Sequence, residues 1–152
     1  MRRQGVTGWL SLVMGIVLCG AFAASASAQV TPGVRAGISG DPDQFYFGGH
    51  IETTPLVDHV HFRPNIEAGV GDDKTLVALN FEFVYRFPAR QQWQPYAGAG
   101  PALNIVSNHE SDTEGGFNIL IGIEQRGGLF FEFKIAAAGG PDVKFCVGYA
   151  FH

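Results

Sequence analysis

The sequence predicts an all-β fold: an eight-stranded antiparallel up-and-down transmembrane β-barrel with a charge-paired lumen. Three observations carry that prediction. Apolar residues recur with a period of two and not 3.6, which is the mark of half-buried strands. Gly, Pro, Asp and Asn recur every dozen or so residues, where turns between such strands are needed. Alternate positions differ in kind, because one parity carries nearly all the large apolar side chains and the other carries charges interleaved with Gly and Ala.

The elements follow in order. The first strand, 30–39, sets Val34 and Ile38 against Arg35 and Gly37, and GDPD at 40–43 closes it. In the second, 44–52, Phe45, Phe47 and Ile51 alternate with Gly48, His50 and Glu52 before TTPLVD at 53–58. The third, 59–70, opposes Val60, Phe62 and Ile66 to Arg63, Glu67 and Gly69, and GDDK at 71–74 is its turn. Leu79, Phe81, Phe83, Tyr85 and Phe87 of the fourth, 75–87, alternate with Glu82 and Arg86 ahead of PARQQ at 88–92. The fifth, 93–106, has Trp93, Leu103 and Ile105 on one parity and Gly98 and Gly100 on the other, followed by a long polar loop, SNHESDTEGG, at 107–116. Phe117, Ile119, Ile121 and Ile123 of the sixth, 117–126, face away from Gly122, Glu124 and Arg126, and RGG at 126–128 ends it. Leu129, Phe131, Phe133 and Ile135 of the seventh, 129–138, alternate with Glu132, Lys134 and Ala136 before GGPD at 139–142. The last, 143–151, alternates Val143, Phe145, Val147, Tyr149 and Phe151 with Lys144, Cys146 and Gly148.

Residues 1–28 stand apart from this pattern. Met1-Arg2-Arg3 is a charged start, Trp9 to Ala24 is an apolar run, and Ala26-Ser27-Ala28 has the small-x-small form of a cleavage site. That combination predicts a cleaved export signal, leaving 29–152 as one barrel domain. Cys146 is then the only cysteine of the domain, so no intramolecular disulfide holds it. The net charge of the 152-residue chain is −4, without the basic patch that nucleic-acid binding requires.

Volume and charge decide which parity faces inward. An eight-stranded barrel has a lumen just wide enough for side chains to fill. Every Phe beyond residue 28 except Phe130 lies on the apolar parity, together with Trp93, and that set would overfill it. The other parity carries Arg35, Arg63, Arg86, Arg126, Lys134 and Lys144 against Glu52, Glu67, Glu82, Glu124 and Glu132, which can pair almost completely. Facing lipid, each cation would cost about 2–4 kcal/mol at the bilayer midplane, enough in sum to exceed the roughly 5–15 kcal/mol stability of a domain. The charged face therefore points inward and the Phe face meets lipid. Leu76, Val84, Leu120, Phe130, Tyr46 and Tyr96 fall on the inward parity as gap fillers or marks of bulges. Tyr85, Phe87, Trp93, Phe131, Tyr149 and Phe151 gather toward one rim, with Phe45, Phe47 and Phe117 nearer the other, as interfacial girdles require. An even strand count puts both ends of the domain on one side, expected to be the periplasmic one.

Pro95-Tyr96-Ala97-Gly98-Ala99-Gly100, Gly116-Phe117 and the last strand, Val143 to Phe151, resemble the small eight-stranded bacterial outer-membrane barrels of the OmpA/OmpX-like kind. The resemblance implies an outer-membrane location, contact with outer-membrane lipid and lipopolysaccharide, and a last strand read by the outer-membrane insertion machinery. Lys144, Tyr149 and Phe151 match that assembly signal, whereas Cys146 stands where it has Gly, and His152 follows the Phe.

Three constellations could carry chemistry. His50, His59 and His61 with Glu52 fall on the inward parity of neighbouring strands, and imidazole suits transition metals. Their spacing matches no zinc signature, so a hydrogen-bonded lumen network is the expectation. His109, Ser111 and Glu124 distantly resemble the His-x-Ser plus Glu arrangement of outer-membrane lipid A deacylases. A serine nucleophile needs a positioned base and an orienting acid, and here the loop from Ser107 to Glu114 lacks an apolar residue to hold a strand, while Glu124 belongs near the opposite rim. Asp41, Asp43, Asp72, Asp73, Glu110, Asp112, Glu114 and Asp142 against Lys74 make one rim acidic, which serves solubility or weak Mg²⁺ or Ca²⁺ bridging to lipopolysaccharide.

The expectation is a monomeric, non-enzymatic outer-membrane barrel with a structural or interaction role, too narrow for a general porin, with no catalytic, cofactor or metal site. A lipid A-modifying enzyme and a secreted soluble barrel with an apolar ligand are the alternatives.

Overall fold

The computed structural model describes residues 29–40, 43–71, 74–107 and 110–152. The export signal expected at 1–28 lies outside them, as do Asp41, Asp72, Asp73 and His109. Eight strands follow in sequence: β1 (Val30–Gly40), β2 (Gln44–Thr53), β3 (Val60–Val70), β4 (Thr75–Arg86), β5 (Trp93–Ser107), β6 (Ser111–Gln125), β7 (Leu129–Ala138) and β8 (Val143–Ala150). Each bonds to the next, and β1 pairs antiparallel with β8 from Gly33↔Ala150 to Gly40↔Val143, so the sheet closes on itself. Closure leaves no open edge around the wall, which is what a strand structure must achieve in a medium without water.

The parities divide as expected. Phe45, Phe47, Phe81, Phe83, Phe117, Ile119, Ile121, Phe133, Phe145 and Tyr149 are exposed on the outside. Arg35, Arg63, Arg86, Lys134 and Lys144 are buried inside with Glu52, Glu67, Glu82, Glu124 and Glu132. A soluble barrel with its Phe face inward is therefore excluded. Tyr46, Leu76, Val84, Tyr96, Leu120 and Phe130 are all buried, so each fills the lumen and none marks an error of register.

Two expectations are corrected. The long polar loop does not exist as such, because β6 starts at Ser111 and its ladder with β5 runs from Ser107↔Ser111 to Trp93↔Gln125. Backbone hydrogen bonds to β5 carry Ser111 to Gly116, and Leu103 and Ile105 of β5 give the hairpin its apolar face. An apolar run on β6 itself is not needed. Arg126 is exposed in the turn after β6 and is not a lumen cation; its backbone N–H donates to Gln92 O at 3.0 Å. Parity fails there because the strand ends at Gln125. Removing Arg126 leaves the lumen cations and glutamates equal in number.

Small residues let large ones in. A Cβ on Gly122 would run into the Tyr96 ring, one on Gly148 into the Phe130 ring, and one on Gly33 into the His50 ring. Each ring thus packs directly against a glycine of another strand. The lumen is filled by this alternation of bulk and absence.

Candidate functional site

The buried charges of the described residues gather in the lumen, where strand periodicity turns every second side chain inward. At the end where β1 starts and β8 finishes, Arg86 of β4 grips Glu52 of β2 in a bidentate pair, Nε to Oε1 at 2.6 Å and Nη2 to Oε2 at 2.8 Å. The same Nη2 donates to Glu124 Oε2 at 2.9 Å. Glu124 Oε1 lies 2.8 Å from His152 Nε2, and Glu52 Oε1 lies 3.3 Å from His61 Nδ1. A planar guanidinium is suited to bridging two carboxylates in this way.

Deeper in the lumen, Glu132 of β7 accepts from Arg35 Nη1 at 3.0 Å, from Arg63 Nη2 and from the Tyr96 hydroxyl at 2.9 Å. Arg63 also reaches Glu82 at 3.4 Å, its direct partner in the β3–β4 register. Lys134 and Lys144 face each other across the β7–β8 ladder, a like-charge pairing that would be destabilising alone. Glu67 resolves it, with Oε1 3.1 Å from Lys134 Nζ and Oε2 2.6 Å from Lys144 Nζ. Lys134 further pairs with Glu82.

Aromatic faces support the cations. Arg63 and Arg86 lie 5.1 and 5.4 Å from the Tyr96 ring centroid, Arg35 lies 5.5 Å from that of Phe130, and Lys144 lies 5.2 Å from that of Tyr46. Beyond the charged layers runs an amide ladder, in which Asn118 Nδ2 donates to Asn80 Oδ1 at 2.8 Å and Asn80 Nδ2 to Asn65 Oδ1 at 2.7 Å. Asn65 in turn donates to Glu82 at 2.9 Å, tying the ladder to the ion pairs. Sequence reading missed the ladder, although Asn65 shares the parity of Arg63 and Glu67, and Asn80 that of Glu82.

The three histidines do not converge. His50 is buried with Nδ1 3.2 Å from Arg35 Nη2 and its ring edge-on to Phe130, and His61 sits at the rim beside Glu52 and the Thr53 carbonyl. His59 is not on the inward face: it occupies the turn before β3 with φ 63° and its ring packs against Tyr85 on the outside. Among the described residues, no group of three or more His, Cys, Asp or Glu is arranged to hold a metal ion. Ser111 opens β6 opposite Ser107, whereas Glu124 lies near the other end of that strand, committed to Arg86 and His152. His109 lies outside the described residues. Asp43, Glu110, Asp112, Glu114, Asp142 and Lys74 are exposed at the rim opposite the start of β1.

No protein-family model and no curated protein matches this chain. Solved structures do match it in fold. The N-terminal β-barrel domain of Pseudomonas aeruginosa OprF aligns with TM-score 0.56 and 16% identity, covering 82% of this chain and 100% of that one. Neisserial surface protein A (NspA) aligns with TM-score 0.62 and 16% identity over 82% of this chain and 99% of its own. The outer membrane enzyme PagL aligns with TM-score 0.53 and 13% identity over 82% and 99%. The chain therefore has the fold of the small eight-stranded outer-membrane barrels.

Proposed function

We propose that this chain is an integral outer-membrane barrel with a plugged lumen and a structural or interaction role, acting as a monomer and not as an enzyme. One observation carries the reading: buried arginines, lysines and glutamates pair across the interior while Phe, Ile and Val cover the outside. That inversion of an ordinary soluble protein is stable only where the exterior meets hydrocarbon. Its lipid partners would be phospholipid at one rim and lipopolysaccharide at the acidic one. The last strand supports recognition by the insertion machinery, since Val143, Phe145, Val147 and Tyr149 face out and β8 makes the closing contact with β1.

Against catalysis stands the separation of Ser111 from Glu124 along β6. Cell fractionation and gel mobility test the membrane reading: the protein should collect with the outer membrane and migrate differently before and after boiling. Recovery as soluble periplasmic protein would refute it. Mass spectrometry of lipid A tests the rest. Loss of an acyl chain with wild type but not with Ser111→Ala would establish an enzyme.

A further inference from the structure

Besides the wall itself, the turn between β2 and β3 carries an exposed apolar surface. Leu56 is 57% and Val57 is 69% exposed, although both belong to a turn of the kind that is normally polar. The turn is ordered: Leu56 N–H donates to Val60 O at 2.8 Å, Val60 N–H to Val57 O at 2.8 Å, and Arg86 N–H to His59 O at 2.9 Å. The last bond pins it to the end of β4.

Its direction follows from two independent contacts. Val57 and Val60 are antiparallel bridge partners, and bridge partners project to one face of a sheet. Val60 in turn opposes Tyr85, whose ring is exposed on the outer face. His59, held at φ 63°, sets its ring edge-on to Tyr85 at 5.9 Å, and Phe87 meets the Tyr85 ring edge-on as well at 5.0 Å. The turn thus extends the exterior of the barrel, continuous with the aromatic girdle that Trp93–Phe131 and Tyr149–Phe151 also form at this end. A non-glycine residue in the left-handed region is uncommon and costs free energy. Here it places an amphipathic ring at the level where Trp, Tyr and His tips meet headgroups.

We propose that the β2–β3 turn is a membrane-interface anchor, with Leu56 and Val57 inserted into the headgroup–acyl boundary of the leaflet at the end where β1 starts and β8 finishes, and His59 beside the lipid headgroups. The occupant is the lipid surface and not a protein, because the apolar strip runs without a break from Val57 through Val60, Tyr85 and Phe87 onto the lipid-facing wall. This rests on the membrane reading above and assigns it a specific lipid contact outside the strands.

Depth-resolved quenching tests it. Val57→Trp and, separately, Leu56→Trp are placed in a Trp9→Phe, Trp93→Phe background, and the protein is refolded into phosphatidylcholine vesicles carrying bromine at shallow or deep acyl positions. Both probes should show blue-shifted emission, quenched more by shallow than by deep bromines and little by aqueous acrylamide. Phe83→Trp serves as the wall control. If Phe83→Trp is quenched by lipid while both turn probes emit as water-exposed indole and respond to acrylamide alone, the anchor is overturned and the barrel reading stands. If the Phe83→Trp probe also escapes the brominated lipids, both readings fall.

Discussion

Glu132 shows what a single residue must do in a lumen that has little water to spare. Its two carboxylate oxygens serve Arg35, Arg63 and Tyr96, and the side chain is almost fully buried. Taking those charges out of water is costly, so the pairs do not by themselves make the barrel more stable than an apolar core would. Breaking one is different, because it strands a buried cation. Glu132→Gln, which keeps the shape and removes the charge, should therefore lower stability by about 3–5 kcal/mol, less to the extent that water enters the lumen. Urea titration in vesicles measures this. Arg63→Gln alone should cost a similar amount, and the double variant should cost less than the two together, since each removes the charge that the other leaves unpaired. Strict additivity would show that the two side chains do not interact. The parity rule located Glu132 and Arg63 from sequence, because in a strand the side that a residue faces depends on position alone. It could not say that Arg63 would reach both Glu82 and Glu132, since long side chains choose partners across the lumen that no sequence spacing encodes.

At the scale of strands, glycines set how closely neighbours approach, and two of them separate two causes. The nearest atoms that a methyl on Gly33 would meet belong to the His50 ring, while those for one on Gly100 are the Phe81 carbonyl and the Glu82 backbone. A side chain can be shortened and a backbone cannot. Gly33→Ala should cost about 1–3 kcal/mol as an overpacked site and regain part of it when combined with His50→Ser. Gly100→Ala should find no such suppressor and should lose folded yield, read as the heat-modifiable band on an unboiled gel. If His50→Ser fails to relieve Gly33→Ala, the close approach at that glycine has another origin. Strand ends follow the same distinction between side chain and backbone. Most strand boundaries are legible because Gly, Pro and Asp turns are written in residue type, but alternation alone starts β6 at Phe117, too late. Ser111 to Gly116 form a ladder with Ala102 to Ser107 through main-chain bonds, and those are invisible to a search for apolar alternation. His59 departs from the parity rule for the complementary reason: it lies in a turn, where alternation has no meaning.

For the whole molecule, the question is whether a closed wall also encloses a path. The lumen is crossed by successive layers: Glu52, Arg86 and Glu124 at one end, then Tyr96 with Val84 and Leu120, then the cluster of Arg35, Arg63, Glu67, Glu82, Glu132, Lys134 and Lys144, and the Asn65–Asn80–Asn118 ladder. All of these side chains are buried, so no layer is a ring around an open centre. An ion entering from either end would have to part a carboxylate from a cation that it already holds at hydrogen-bond distance. Large open channels belong to barrels of about 16–18 strands, twice this number. Purified protein in planar bilayers should accordingly show no steady porin-like current, even at high salt, where surface pairs weaken but buried pairs are screened much less. Glu67→Ala together with Lys134→Ala and Lys144→Ala removes the central link between β3, β7 and β8 without leaving an unpaired carboxylate at Glu67. That variant should admit brief small openings, whereas changes on the outer wall such as Phe133→Leu should not. A stable large conductance from the wild type would mean that the charged layers part in the membrane and that the lumen is a channel.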